Sequence, residues 1–109
     1  VSGGMLENRR KSTRVPIQAE VACTVGSRTV RGTSWNLSQG GMQVEVGGLK
    51  PKDAVRLSFE LPVSGVVIDV AGVVVWGKES RQGIQFTAVS AQSQQSIRQF
   101  MADVEKMER

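Results

Sequence analysis

The chain has no histidine. That removes Ser-His and Cys-His nucleophile pairs and the commonest metal ligand. Carboxylate-only catalysis survives this exclusion. The ten Asp and Glu are scattered, however, and no catalytic constellation is legible. An enzyme is not expected, and neither is a cofactor or a bound metal. The single cysteine, Cys23, excludes an internal disulfide and any need for an oxidising compartment. It falls in an alternating apolar pattern and is expected in the core. Tyrosine is absent, and the aromatics are two Trp and three Phe. The longest apolar run, Val66 to Trp76, is broken by Asp69 and Gly72. Nothing approaches the ~18–20 apolar residues of a transmembrane helix. The opening "VSGGMLENRR" lacks the apolar h-region of a secretory signal. A cytoplasmic location without membrane insertion is the expectation.

What is present fits one ordinary domain. The 109 residues are 39% apolar, enough to bury a core without disulfides or metals. Residues 1–7 are expected to be a flexible N-terminus, its first residues a tag remnant, with the domain spanning 8–109. Net charge is +4, which favours anionic partners such as nucleotides, nucleic acid or lipid headgroups. The bias is concentrated, because Arg9, Arg10, Lys11 and Arg14 fall within six positions.

From Val15 the pattern has period two. Ile17, Ala19, Val21, Cys23 and Val25 share one face, as in a half-buried strand. Gly26-Ser27 is a two-residue hairpin signal of type II′. Arg28 to Leu37 forms the return strand, and Met42, Val44 and Val46 alternate after the turn "SQGG". Val55, Leu57, Phe59 and Leu61 alternate again. Val66 to Trp76 is β-branched and well suited to a buried strand, with Gly72 marking a bulge or bend. "IQFTAV" completes six strands joined by short turns, an antiparallel sandwich or barrel. The period then changes. Ile97, Phe100, Met101 and Val104 give a narrow apolar stripe on a helix of about 91–107, with Ser90 or Ser93 as N-cap. The stripe covers either an opening of the barrel or a partner helix.

Two stretches resist explanation as strand or core. The first holds Arg9, Arg10 and Arg14, whose planar donor forks suit phosphate oxygens and the O6/N7 edge of guanine. Alone it reads as a solvated basic tail. The second is "WNLSQGG", Trp35 to Gly41. Asn36 and Ser38 offer donors and acceptors, and Gly40 and Gly41 permit positive φ and close backbone approach. Alone it reads as a polar turn. In a hairpin, however, the start of the first strand lies beside the end of the second. Arg14 and Asn36 should therefore meet, forming a rim of guanidinium on one side and Asn/Ser on the other. Such a rim suits a guanine nucleotide with phosphates.

With both stretches in order, the sequence resembles the PilZ domain family, whose signature is RxxxR followed by (D/N)xSxxG. RxxxR is Arg10-Lys11-Ser12-Thr13-Arg14, and NxSxxG is Asn36-Leu37-Ser38-Gln39-Gly40-Gly41. "VVVWGKESRQGIQF" is similar to the late strand pair of that family, ending at Gly83-Ile84-Gln85-Phe86. The resemblance implies a six-stranded antiparallel β-barrel of the split-barrel type with a C-terminal helix. It also implies a receptor for cyclic di-GMP, a bacterial second messenger, that passes a conformational change to a protein partner or fused output domain. By that resemblance Arg10 and Arg14 grip phosphates and guanine edges. Asn36 and Ser38 bond a guanine edge, and Gly41 lets the backbone pass closely, with Gly40 beside it counted among the ligand-binding residues. Arg9 before the motif resembles members that take an intercalated dimer of the dinucleotide, so two ligands per domain are expected. Asn36 replaces the commoner Asp, which forfeits an acidic side chain's stronger bond to guanine N1 and N2 donors. Two other readings are a single-stranded nucleic-acid-binding barrel and a ligand-free protein-interaction module of the same fold. Nucleic acid is not the expected partner, because such barrels need exposed aromatic platforms. Phe59, Phe86 and Phe100 lie in core-like positions; Trp35 and Trp76 are open to exposure, but two tryptophans on different strands make a poor ladder.

Overall fold

The computed structural model describes residues 14–107. Seven strands and one helix follow in chain order. The strands are β1 (Val15–Pro16), β2 (Glu20–Val25), β3 (Arg28–Leu37), β4 (Gly41–Glu45), β5 (Ala54–Glu60), β6 (Val67–Lys78) and β7 (Arg81–Val89). The helix α1 spans Ala91–Met107. All strand pairings are antiparallel.

The sheet runs β3-β2-β5-β6-β7-β4, and a further β3–β4 pairing closes it into a barrel. Six strands make the ring; β1 is an addition that the period-two pattern did not separate. The alternation from Ile17 to Val25 is one strand by pattern, yet the backbone breaks it after Pro16. Proline cannot donate to a ladder. Past it, Ser34 supplies the link: its hydroxyl accepts from the Ala19 N–H and donates to the Ala19 carbonyl, both at 3.0 Å. β3 therefore pairs with β2 along its first part and with β1 at its end, where Val15 faces Leu37 and Pro16 faces Asn36.

The Gly26-Ser27 turn has φ +60° at Gly26, as a two-residue type II′ hairpin requires. The inward faces form the core: Val21, Cys23, Leu37, Met42, Val44 and Ile68 are fully buried. The buried Gln82 carboxamide accepts from the Val46 N–H at 3.0 Å and donates to the Val46 carbonyl at 2.8 Å. It satisfies backbone groups where β4 ends, which burial would otherwise leave costly.

Helix α1 starts at Ser90, whose hydroxyl accepts from the Ser93 N–H at 3.1 Å, a standard N-cap bond. Its stripe packs on the barrel. Ile97 is fully buried, whereas Phe100, Met101 and Val104 are only partly covered. Covering the barrel accounts for the first half of the stripe and leaves the second half partly open.

Candidate functional site

The Arg14 guanidinium donates from Nη1 to Asn36 Oδ1 at 3.1 Å, across 22 positions of sequence. The β1–β3 register makes this contact, since Pro16 is paired with Asn36 itself. Arg14 and Asn36, one from each polar stretch, are thus brought together. Arg9 and Arg10 lie outside the described residues.

Ser38 and the glycines have local tasks. Ser38 is buried, and its hydroxyl donates to the Gly41 carbonyl at 3.1 Å. Its backbone N–H donates to the same oxygen at 2.8 Å. Ser38 thus closes the β3–β4 turn instead of standing beside Asn36 on the outer face. Neither Gly40 nor Gly41 has positive φ, which corrects the conformational reason offered for them. Gly41 is needed because a Cβ there would run into the Ile84 carbonyl oxygen of β7. Gly40 has open space around its Cα, and its carbonyl accepts from the Phe86 N–H at 2.9 Å.

The outer face beyond Asn36 holds residues that period-two reading missed. Asn36 pairs with Gln43, Gln43 with Gly83, and Gly83 with Trp76. These four form one row across β3, β4, β7 and β6. The Trp76 ring lies directly over Gly83, where a Cβ would overlap the indole. Trp76 remains 38% exposed. By parity with Ile68, Val70 and Val74 it should point inward. A register shift between Val74 and Trp76 inserts Val75 as an extra residue and turns the indole outward. A bulge re-aims a side chain in this way.

Trp35 is handled alike. The β3–β4 register shifts between Ser34 and Asn36, so Trp35 is the unpaired residue. Its indole N–H donates to Glu45 Oε1 at 3.1 Å, and the Arg81 guanidinium lies 4.1 Å from the ring centroid. Next to these groups lies a cleft of about 460 Å³ lined by Gln43, Glu45, Trp76, Lys78, Glu79, Ser80 and Arg81. The arrangement offers guanidinium and carboxamide at one end, an aromatic face over glycine in the middle, and at the far end Lys78 and Arg81 interleaved with Glu45 and Glu79. Such a surface can hold a flat, polar, anionic ligand by stacking and by edge hydrogen bonds.

Comparison with known proteins agrees with this architecture. A family model, the PilZ domain, matches residues 8–103. The chain has no significant match among curated proteins. Among solved structures, the Bacillus subtilis inhibitor of motility (MotI/DgrA) superposes with a TM-score of 0.77 at 23% identity, covering 93% of this chain and 53% of that one. This chain thus spans about half of that relative's length. The PilZ domain of CeSA from a cellulose-synthesising bacterium gives 0.67 at 22% identity, covering 86% of this chain and 99% of that one. The PilZ domain of Escherichia coli YcgR, solved with c-di-GMP, gives 0.72 at 15% identity, covering 93% of this chain and 95% of that one.

Proposed function

The chain belongs to the PilZ domain family, and on that premise we propose that it is a receptor module for cyclic di-GMP that hands a ligand-driven change to an output partner. The Arg14–Asn36 contact carries this reading, because it unites the two halves of the family signature at one point of the surface. YcgR, a neighbour in fold, was solved with this ligand.

The chemistry follows from the groups present. A guanine presents two acceptors, N7 and O6, on one edge, which a guanidinium matches with two parallel donors. On its other edge it presents N1 and N2 donors, which the Asn36 carboxamide oxygen accepts. In this assignment Arg14 exchanges its bond to Asn36 for the ligand. Arg10 takes a phosphate or the second guanine, and Arg9 offsets the charge of a second dinucleotide. Ser38 and Gly41 act through the turn they close, which fixes where Asn36 points, and Gly40 leaves the backbone open to approach. Trp76 supplies a stacking face for a purine.

Calorimetric titration of the chain with cyclic di-GMP tests the reading. Saturable binding that is lost in Arg14→Ala, with an unchanged circular dichroism spectrum, is the expected outcome. Losing one bidentate guanine contact removes ~1–3 kcal/mol, a drop of roughly 5- to 150-fold in affinity. No heat from the wild-type chain, or equal affinity in the variant, would overturn it.

A further inference from the structure

A second surface borders the Arg14–Asn36 face at Pro16. The turn after β5 is closed by Leu61 N–H donating to the Val66 carbonyl at 2.8 Å. Inside it, Ser64 N–H donates to the Pro62 carbonyl at 2.8 Å, and Val63 has φ +72°. This is a γ-turn of the rare positive-φ kind. A β-branched residue at positive φ is an outlier, and such strain persists where the surroundings over-determine it. Val63 is also 98% exposed. Nothing in the barrel uses the side chain, so the fold gives no reason for valine at this position.

The turn forms one wall of an apolar groove. Pro16, Ile17 and Leu61 meet Phe100 and Val104 of α1 around a space of about 360 Å³. These are two of the three helix residues that covering the barrel leaves half open. Val66 and Val67, 40% and 58% exposed, extend the apolar surface beside it. Contiguous exposed apolar area of this kind marks an interaction surface.

The charge around the groove decides its occupant. Among the described residues, Asp103 is the only charged one that lines it. The Gln99 side-chain amide donates to Asp103 Oδ1 at 3.0 Å, which holds the carboxylate in place. In a chain of net charge +4, an apolar groove with the Asp103 carboxylate on its wall disfavours an anionic membrane and favours a cation. We propose that this groove docks a segment of another protein that carries an aliphatic or aromatic side chain with a Lys or Arg close by. The apolar side chain enters between Phe100 and Leu61, and the cation meets Asp103.

The test pans a random dodecapeptide library displayed on phage against the full chain. Enriched peptides are then synthesised and titrated by fluorescence polarisation. The variants Val63→Asp and Asp103→Lys both change exposed side chains, and circular dichroism checks their fold. The expected result is a consensus with an aliphatic or aromatic residue and a Lys or Arg within four positions. Its affinity should fall at least tenfold on either variant. No enrichment, a consensus without the cation, or equal affinity on both variants would overturn the proposal. So would a dimer in sedimentation that Val63→Asp dissolves, which gives the surface to a second copy. Binding to phosphatidylcholine vesicles that Val63→Asp abolishes would give it to lipid and overturn it likewise. Titration with cyclic di-GMP is a separate measurement at Arg14, so the two readings fail independently.

Discussion

Single residues carry consequences that their neighbours in sequence do not announce. Burial, with the Asp53 charge adding to it, pushes the Cys23 thiol up to about 11 from its usual 9.0. The folded chain therefore keeps the proton that the unfolded chain gives up. This contribution to stability is complete below about pH 9 and is lost as pH rises through the folded value near 11. Thermal unfolding followed between pH 8 and 11 should show wild type losing more of its Tm than Cys23→Ala does. No tyrosine titrates in that window to confuse the comparison. Val63 gives a second case. Its side chain buries almost nothing and its backbone sits where L-residues lose about 1–2 kcal/mol. Val63→Gly should raise stability by about 1 kcal/mol after the added chain entropy of glycine is set against it. Urea denaturation midpoints measure this, and a destabilised variant would remove the strain from the account. Gly41 needs a different caution. A substitution there presses on the Ile84 carbonyl of β7, so lost binding in Gly41→Ala would report on the barrel as much as on a ligand.

At the level of elements, the strands were legible wherever side chains alternate strictly, and they ceased to be so at irregular backbone. β5 is the clear case: Val55, Leu57 and Phe59 point inward without interruption. The helix was legible because its period differs from everything before it. The break between β1 and β2 was not, since the apolar alternation runs straight through it and only the Ser34 side-chain bonds show the change of partner. The same limit hid half of the candidate site. The meeting of Arg14 with Asn36 followed from hairpin connectivity alone. The outward turn of Trp76 depends on Val75 being one residue too many opposite β7, and period-two reading assumes that no such residue exists. This placement yields a prediction. Gly83→Ala puts a methyl group where the indole lies, and the indole, being half exposed, can swing away at modest loss of stability. The fold should survive. Affinity for cyclic di-GMP should drop by about the ~1–3 kcal/mol that base–aromatic stacking contributes. Undiminished affinity in both Gly83→Ala and Trp76→Ala would show that the purine lies elsewhere.

For the molecule as a whole, closure of the ring through β3 and β4 leaves no open edge among its six strands. Closed sheets resist strand addition, so on the ring, outside the two-residue edge of β1, partners read side-chain surfaces. The two surfaces described here share one strand. Arg14 bonds Asn36, and two residues later Pro16 pairs with Asn36 and also lines the apolar groove. A ligand that draws Arg14 off Asn36 acts on a segment that already forms one wall of the docking surface. How many ligands do this is set, in our reading, by Arg9. Calorimetry should give two dinucleotides per chain in wild type and one in Arg9→Ala. A stoichiometry of one with Arg9 intact would discard that role.

The two outward tryptophans have a practical meaning as well. With no tyrosine in the chain, near-ultraviolet emission excited at 295 nm (roughly the red edge of indole absorption) comes from Trp35 and Trp76. Both stand at strand irregularities on the outer face that carries Asn36. The protein thus has an unlabelled optical probe built into the surface whose chemistry is in question, and its colour and intensity report on that face while the buried barrel stays dark.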